Sequence, residues 1–138
     1  MSMPEAVFYE PRSVPLPRRI LVYVMVGVAR LLATQSPRRI RMVLGWLRRG
    51  TKPATVKQAK AAWDDVMAVS LMCAAREGCV PRSLAIVLLC RLRGVWPTWC
   101  VGARRVPPFA AHAWVEADGV MVGDRYPPDY FRTLFTVP

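Results

Sequence analysis

Length, composition and charge bound the kinds of protein this chain can be. Its 138 residues suit one domain and fall short of two ordinary ones, and the 54% apolar content excludes wholesale disorder. The charge is uneven: residues 1–60 hold nine Arg and three Lys against two acids, whereas residues 61–138 hold eight Arg against seven acids.

The first 60 residues predict a proline-rich start followed by two basic helices. Residues 1–17 contain four prolines and should be extended, because proline removes a backbone donor and disfavours helix before it. A first helix is predicted from about Arg18 to Thr34. Ser36 and Pro37 suit the N-cap and first position of a second helix, which should end near Arg49 with Gly50 as its C-cap.

Arg18-Arg19 followed by the apolar run Ile20–Ala29 also resembles a signal peptide. However, the run lies late in the chain, no A-x-A cleavage site follows, and Arg30 interrupts it. Ten apolar residues are also too few to span a membrane. A core-facing helix is therefore the preferred interpretation.

A third and a fourth helix are predicted in the middle of the chain. Thr55 and Gln58 fit a capping box, and helical spacing of apolar residues then continues to Glu77. After Gly78, a helix opening at Cys79-Val80-Pro81 is apolar on nearly all sides and should be the buried central helix, ended by Gly94.

Beyond Gly94 the pattern favours strands over Trp96–Ala103, Ala111–Ala117 and Val120–Gly123. Helices followed by strands predict an α+β fold in which the central helix packs on a small antiparallel sheet. Residues 1–60 would form a basic helical segment and residues 61–138 the functional core, within one compact unit.

The cysteines at positions 73, 79, 90 and 100 allow two interpretations. Four cysteines suit two disulfides in a secreted domain, but Cys73 and Cys90 lie in helical apolar patterns, where free cysteine behaves as a small hydrophobe. The sequence contains no C-x-x-C pair, and this absence disfavours a zinc site. We therefore expect a reduced, cytoplasmic chain with no metal or other cofactor.

Three residues together suggest thiol chemistry. Cys79 lies at the start of the buried helix, where unpaired N–H groups stabilise a thiolate. His112 is the only histidine and lies on a predicted strand, and Asp124 follows the next strand. Taken singly, each residue more commonly has a structural role than a catalytic one: a cysteine at a helix start, a packed histidine and an aspartate in a turn. Together they offer a nucleophile, a base and an acceptor that orients the base.

The hairpin register decides whether Asp124 faces His112. A two-residue loop, Asp118-Gly119, would pair His112 with Arg125 and turn Asp124 to the other side of the sheet. A three-residue loop, Ala117–Gly119, would pair His112 with Asp124 directly. We predict the three-residue loop, because Gly119 suits the left-handed position that ends it.

The strings C-V-P-R-S-L-A from Cys79 and A-H-A-W-V-E from Ala111, followed by Asp124, resemble the lasso-peptide B2 leader peptidases. These belong to the transglutaminase-like, papain-like cysteine proteases. The resemblance covers about Trp63–Asp124 and implies that Cys79 is the nucleophile, His112 the general base and Asp124 its orienter. Because residues 1–60 lack a winged-helix recognition domain, the chain resembles the split form. That form implies three partners: a precursor leader, a separate leader-recognition protein (the B1 type) and a cyclase.

Further residues receive secondary assignments. The backbone N–H of Cys79 is a candidate oxyanion donor. Arg82, Ser83, Phe109 and Trp114 are candidate cleft residues, although Ser83 also suits a helix-start role and Trp114 a place in the core.

The basic half suggests docking to an acidic partner through the arginines of the second helix. These are Arg38, Arg39, Arg41, Arg48 and Arg49. No nucleic-acid motif is present, whereas weak contact with a membrane surface stays open. A non-catalytic basic adaptor and an acyl transferase with the same triad are the alternatives to a peptidase.

Overall fold

Four helices precede a four-stranded sheet in the computed structural model, which describes residues 15–69, 79–108, 110–123, 126–127 and 129–138. The helices span Leu16–Ala33 (α1), Pro37–Leu47 (α2), Val56–Val69 (α3) and Cys79–Leu92 (α4). The strands span Lys52–Pro53 (β1), Val95–Trp96 (β2), Thr98–Arg104 (β3), Ala111–Ala117 (β4), Val120–Met121 (β5) and Phe131–Val137 (β6). The α+β prediction is confirmed.

Local signals in the sequence start two of the helices. The Ser36 hydroxyl accepts a hydrogen bond from the Arg39 N–H at the start of α2. Thr55 and Gln58 form the predicted reciprocal capping box before α3, with donor–acceptor distances of 2.9 and 3.1 Å. The predicted continuation of this helix from residue 70 to Glu77 lies outside the described residues.

Helix α4 is the centre of the core, as predicted. Its residues from Arg82 to Cys90 are all buried. It packs against α1, α3 and β4, which covers every side of a helix that has no polar face. Pro81 in its first turn lacks the N–H that would need a partner there.

The sheet has the order β5-β4-β3-β6 with all neighbours antiparallel. Alternation along β4 directs Ala113, Val115 and Ala117 into the core, so His112 and Trp114 lie on the other face. Strand β6 was not predicted, although its run of aromatic and β-branched residues is typical of a strand. The first predicted strand is also divided at Pro97 into β2 and β3.

The predicted three-residue hairpin is wrong. Glu116 pairs with Met121 and Ala117 with Val120, which leaves the two-residue loop Asp118-Gly119. Both loop residues have positive φ, 54° and 75°. Such a turn matches the strand twist, and Asp-Gly favours it strongly, so the dipeptide decides the register.

An ionic cluster joins α1, α3 and the end of α4. The buried carboxylate of Asp65 accepts a hydrogen bond from Arg93 at 2.7 Å, and the Arg18 guanidinium lies 3.8 Å from the same oxygen. Arg18 and Arg93 are both partly exposed. The cluster adds a charged contact between α1 and the core to the apolar packing of Val22, Val26 and Ala29.

Candidate active site

Cys79 and His112 meet where the start of α4 packs on β4. Cys79 is the first residue of α4 and is half-buried. Its thiol forms a hydrogen bond with the His112 side chain, and the backbone N–H of Ala113 also donates to the sulfur. The predicted cysteine–histidine pair is thus in direct contact.

The surroundings of Cys79 favour its thiolate. Burial raises the pKa of this thiol, but the hydrogen bonds with His112 and Ala113 lower it. The positive charges of His112 and Arg82 act in the same direction. As a result the pKa of Cys79 lies below its ordinary value of 9.0.

The other described cysteines have the opposite environment. Cys90 and Cys100 are free and buried. Burial raises the pKa of both thiols to about 12, and at Cys100 the neighbouring carboxylate of Glu116 adds to the effect. Cys79 is therefore the thiol best suited to act as a nucleophile among these three.

An aromatic cluster surrounds the imidazole. The Phe131 ring stacks on His112 with a centroid distance of 4.6 Å and an interplanar angle of 15°. The Trp114 ring, on the same strand, stacks at a centroid distance of 5.7 Å, and the Tyr126 ring lies in a T-shaped arrangement at a centroid distance of 5.5 Å. Because β6 was not predicted, Phe131 was not identified as a neighbour of His112. Only the order of the strands in the sheet places the two rings side by side.

Gly102 makes this stacking possible. It lies on β3 between His112 on β4 and Thr133 on β6. A Cβ there would lie 2.8 Å from the Trp114 ring and 2.5 Å from the Arg132 carbonyl oxygen. A side chain on this strand would displace the rings that cross it.

The three secondary candidates that the structure describes are all buried. Arg82 is buried beside Cys79. Ser83 lies in the core, where its hydroxyl donates to the Val80 carbonyl at 3.0 Å and accepts from Trp99 Nε1 at 2.9 Å. Trp114 is buried, and its indole donates to Glu116 at 2.8 Å.

Asp124 and Phe109 lie outside the described residues. The three-residue loop that would pair Asp124 with His112 does not form. The observed pairing continues to Val122, whose N–H donates to the Val115 carbonyl at 3.0 Å. The next residue, Gly123, has a φ of 86°, which is not that of an extended strand.

The five predicted docking arginines are exposed on or just after α2. Arg41 and Arg48 contact distant parts of the chain: Arg41 lies over the Phe135 ring at 4.7 Å, and Arg48 donates to the Pro138 carbonyl. Arg39 donates to the nearby Gln35 side chain at 3.2 Å. Within the described ranges, no helix has the length and apolarity to cross a membrane. In the same ranges, no three potential ligands among His, Cys, Asp and Glu cluster as a metal site would need.

Comparison with known families agrees with this architecture. A family model described as the transglutaminase-like superfamily matches residues 22–136. No curated protein and no solved structure shows significant similarity. The match includes all four helices in whole or in part, both Cys79 and His112, and nearly the whole sheet. This chain therefore belongs to the transglutaminase-like superfamily.

Proposed function

We propose that this chain is a cysteine endopeptidase that removes the leader from a lasso-peptide precursor in the cytoplasm. The observation that carries the proposal is the Cys79–His112 contact at the start of a buried helix, where the thiol pKa is lowered. Superfamily membership agrees with cysteine-dependent hydrolysis or acyl transfer. The narrower assignment to leader removal is supported by the resemblance of the two strings around Cys79 and His112.

The proposed reaction has two stages. The Cys79 thiolate attacks the carbonyl carbon at the leader–core junction, and the peptide C–N bond breaks as His112 gives its proton to the leaving amine. A water molecule, deprotonated by His112, then attacks the thioester and releases the leader as a carboxylate. The family resemblance, and not the hairpin register, supports Asp124 as the residue that would orient His112, and the Cys79 N–H would stabilise the oxyanion.

Mass spectrometry of a precursor peptide tests the proposal. The chain is incubated with the precursor and the separate leader-recognition protein, without the cyclase. We expect a leader with a free carboxylate and an intact core peptide, whose masses together exceed that of the precursor by one water. A leader that carries an added amine instead would establish acyl transfer, and an intact precursor would favour the non-catalytic adaptor.

Phe131 is expected to position the catalytic imidazole. Replacing Phe131 by leucine removes the stacked ring while keeping an apolar side chain, so we expect kcat to fall by about three- to tenfold with little change in KM. Phe131→Tyr, which retains the ring, should restore the rate. Steady-state kinetics on the precursor checks this. Equal kcat values for Phe131→Leu and the unchanged chain would exclude the positioning role.

The exposed arginines of α2 are proposed to dock the leader-recognition protein with its bound leader. Reversing Arg38 and Arg39 to glutamate should raise the KM for the delivered precursor by about three- to tenfold at low salt, since rim charges act mainly on association. Arg41 and Arg48 are left unchanged because they contact the fold.

The control for this docking prediction is the double variant Lys52→Glu with Lys57→Glu. Both lysines are exposed outside α2, so the net charge changes equally while the proposed face stays intact. Its KM should stay near that of the unchanged chain. The same rise in both double variants would assign the effect to overall charge rather than to α2.

A further inference from the structure

The side of α1 that faces away from the core is apolar. Val22, Val26 and Ala29 are buried against the rest of the fold. The opposite side presents large apolar residues at helical spacing: Leu16, Ile20, Val24, Val28 and Leu31, with exposed fractions of 62%, 55%, 51%, 44% and 72%. Scattered exposed apolar residues are ordinary, whereas a continuous row over about four turns indicates an interaction surface.

Gly27 lies within this row, three residues after Val24 and four before Leu31. A Cβ built at Gly27 would meet no atom within 4 Å, so packing inside the chain does not require glycine. Glycine also weakens a helix relative to alanine. Its effect is to leave a notch in the apolar row, where the backbone of a second helix can approach closely. A lipid surface would gain nothing from such a notch.

The positive charge around α1 indicates what kind of molecule binds the apolar row. Between Glu10 and Asp64 the sequence has twelve Lys and Arg residues and no acid. Arg19 and Arg30 are exposed near the two ends of α1. A second copy of this chain would bring like charges together, whereas acidic residues would complement them.

We propose that the apolar row of α1, with Gly27 at its centre, binds an amphipathic helix of a partner protein whose apolar side is flanked by acidic residues. We call this surface the α1 stripe; it comprises Leu16, Ile20, Val24, Gly27, Val28 and Leu31. The interaction is independent of whether Cys79 is catalytic.

Two synthetic helical peptides test the charge preference. Both have the same leucine and alanine face and a fluorescein label, and one has glutamates and the other lysines beside that face. By fluorescence anisotropy with the full chain at low salt, the acidic peptide should bind at least about tenfold more tightly. Its advantage should shrink as salt rises. Equal affinities, or no binding of the acidic peptide, would overturn the proposal.

The substitution Gly27→Leu tests the notch. Leucine favours helix and meets open space, so thermal unfolding should not shift to lower temperature. We expect affinity for the acidic peptide to fall by about tenfold, because the added side chain separates the two helices. Gly45→Leu, on α2 and also in open space, is the matched control and should leave peptide binding unchanged.

Two further measurements test whether the α1 stripe binds a membrane or a second copy of this chain instead. Phosphatidylcholine vesicles with and without phosphatidylglycerol are sedimented with the chain, and self-association is measured by analytical ultracentrifugation. Vesicle binding that Gly27→Leu preserves or strengthens would assign the α1 stripe to a membrane. Dimerisation that Gly27→Leu abolishes would assign it to a second copy. Either result would overturn the proposal, whether or not precursor cleavage is observed.

Discussion

Replacing Cys79 by alanine is expected to abolish the proposed leader removal and to leave the fold intact. Without the sulfur no thioester can form, so the rate should fall by at least about 10³-fold. Cys79 is only half-buried at the first position of α4, where alanine suits the helix. The thermal unfolding temperature should therefore change little. Product mass spectrometry and circular dichroism measure the two properties separately.

Cys100→Ala is the matched control for this variant. Cys100 is buried, and its thiol pKa is raised to about 12, so its loss should affect stability more than rate. Normal turnover by Cys79→Ala would contradict the assignment of the nucleophile. Loss of activity in both variants with both folds intact would show that the assay responds to something other than Cys79.

The second large effect is expected at Gly123, where alanine should destabilise the fold. The backbone there has a φ of 86°, which costs a non-glycine residue about 1–2 kcal/mol. A Cβ would also lie 2.1 Å from Nε1 of the buried Trp63 indole. Overpacking of this kind typically costs about 1–3 kcal/mol more. Chemical denaturation should show the combined loss.

Gly94→Ala separates the two causes. Gly94 has a similar φ of 82°, but its Cβ would meet no atom within 4 Å. It should therefore show only the conformational cost, which leaves Gly123→Ala the less stable by about 1–3 kcal/mol. Equal losses of unfolding free energy in the two variants would mean that the Trp63 side chain moves aside at little cost. Because Gly123 directly precedes Asp124, we also expect the Gly123 variant to lose the proposed peptidase activity in its folded fraction.

The parts of the fold that local chemistry determines could be predicted from the sequence. The capping box at Thr55 and Gln58 and the N-cap at Ser36 depend on residues three positions apart. The burial of α4 followed from its lack of a polar face. The contact between Cys79 and His112 required only that a buried helix start beside the strand with the single histidine.

The predictions that were wrong or missing concern places where two loop lengths compete or where a strand pairs with a distant part of the chain. At the hairpin, Gly119 suited two loop lengths, and the Asp118-Gly119 preference for a two-residue turn prevailed. Strand β6 pairs with β3, about 30 residues earlier in the chain, so no local pattern revealed that Phe131 would stack on His112. The need for glycine at position 102 becomes evident only when β3 is known to lie between β4 and β6.

The most direct test of the account measures the pH dependence of Cys79 alkylation by iodoacetamide. Cys73→Ser serves as the background, because Cys73 lies outside the described residues. Thiolate reacts and thiol does not, so the rate rises as pH passes the pKa of Cys79. We expect a midpoint below 9.0, moved to higher pH by His112→Gln, since contact with His112 lowers this pKa and burial raises it. A midpoint at or above 9.0, or one that His112→Gln leaves unchanged, would contradict it.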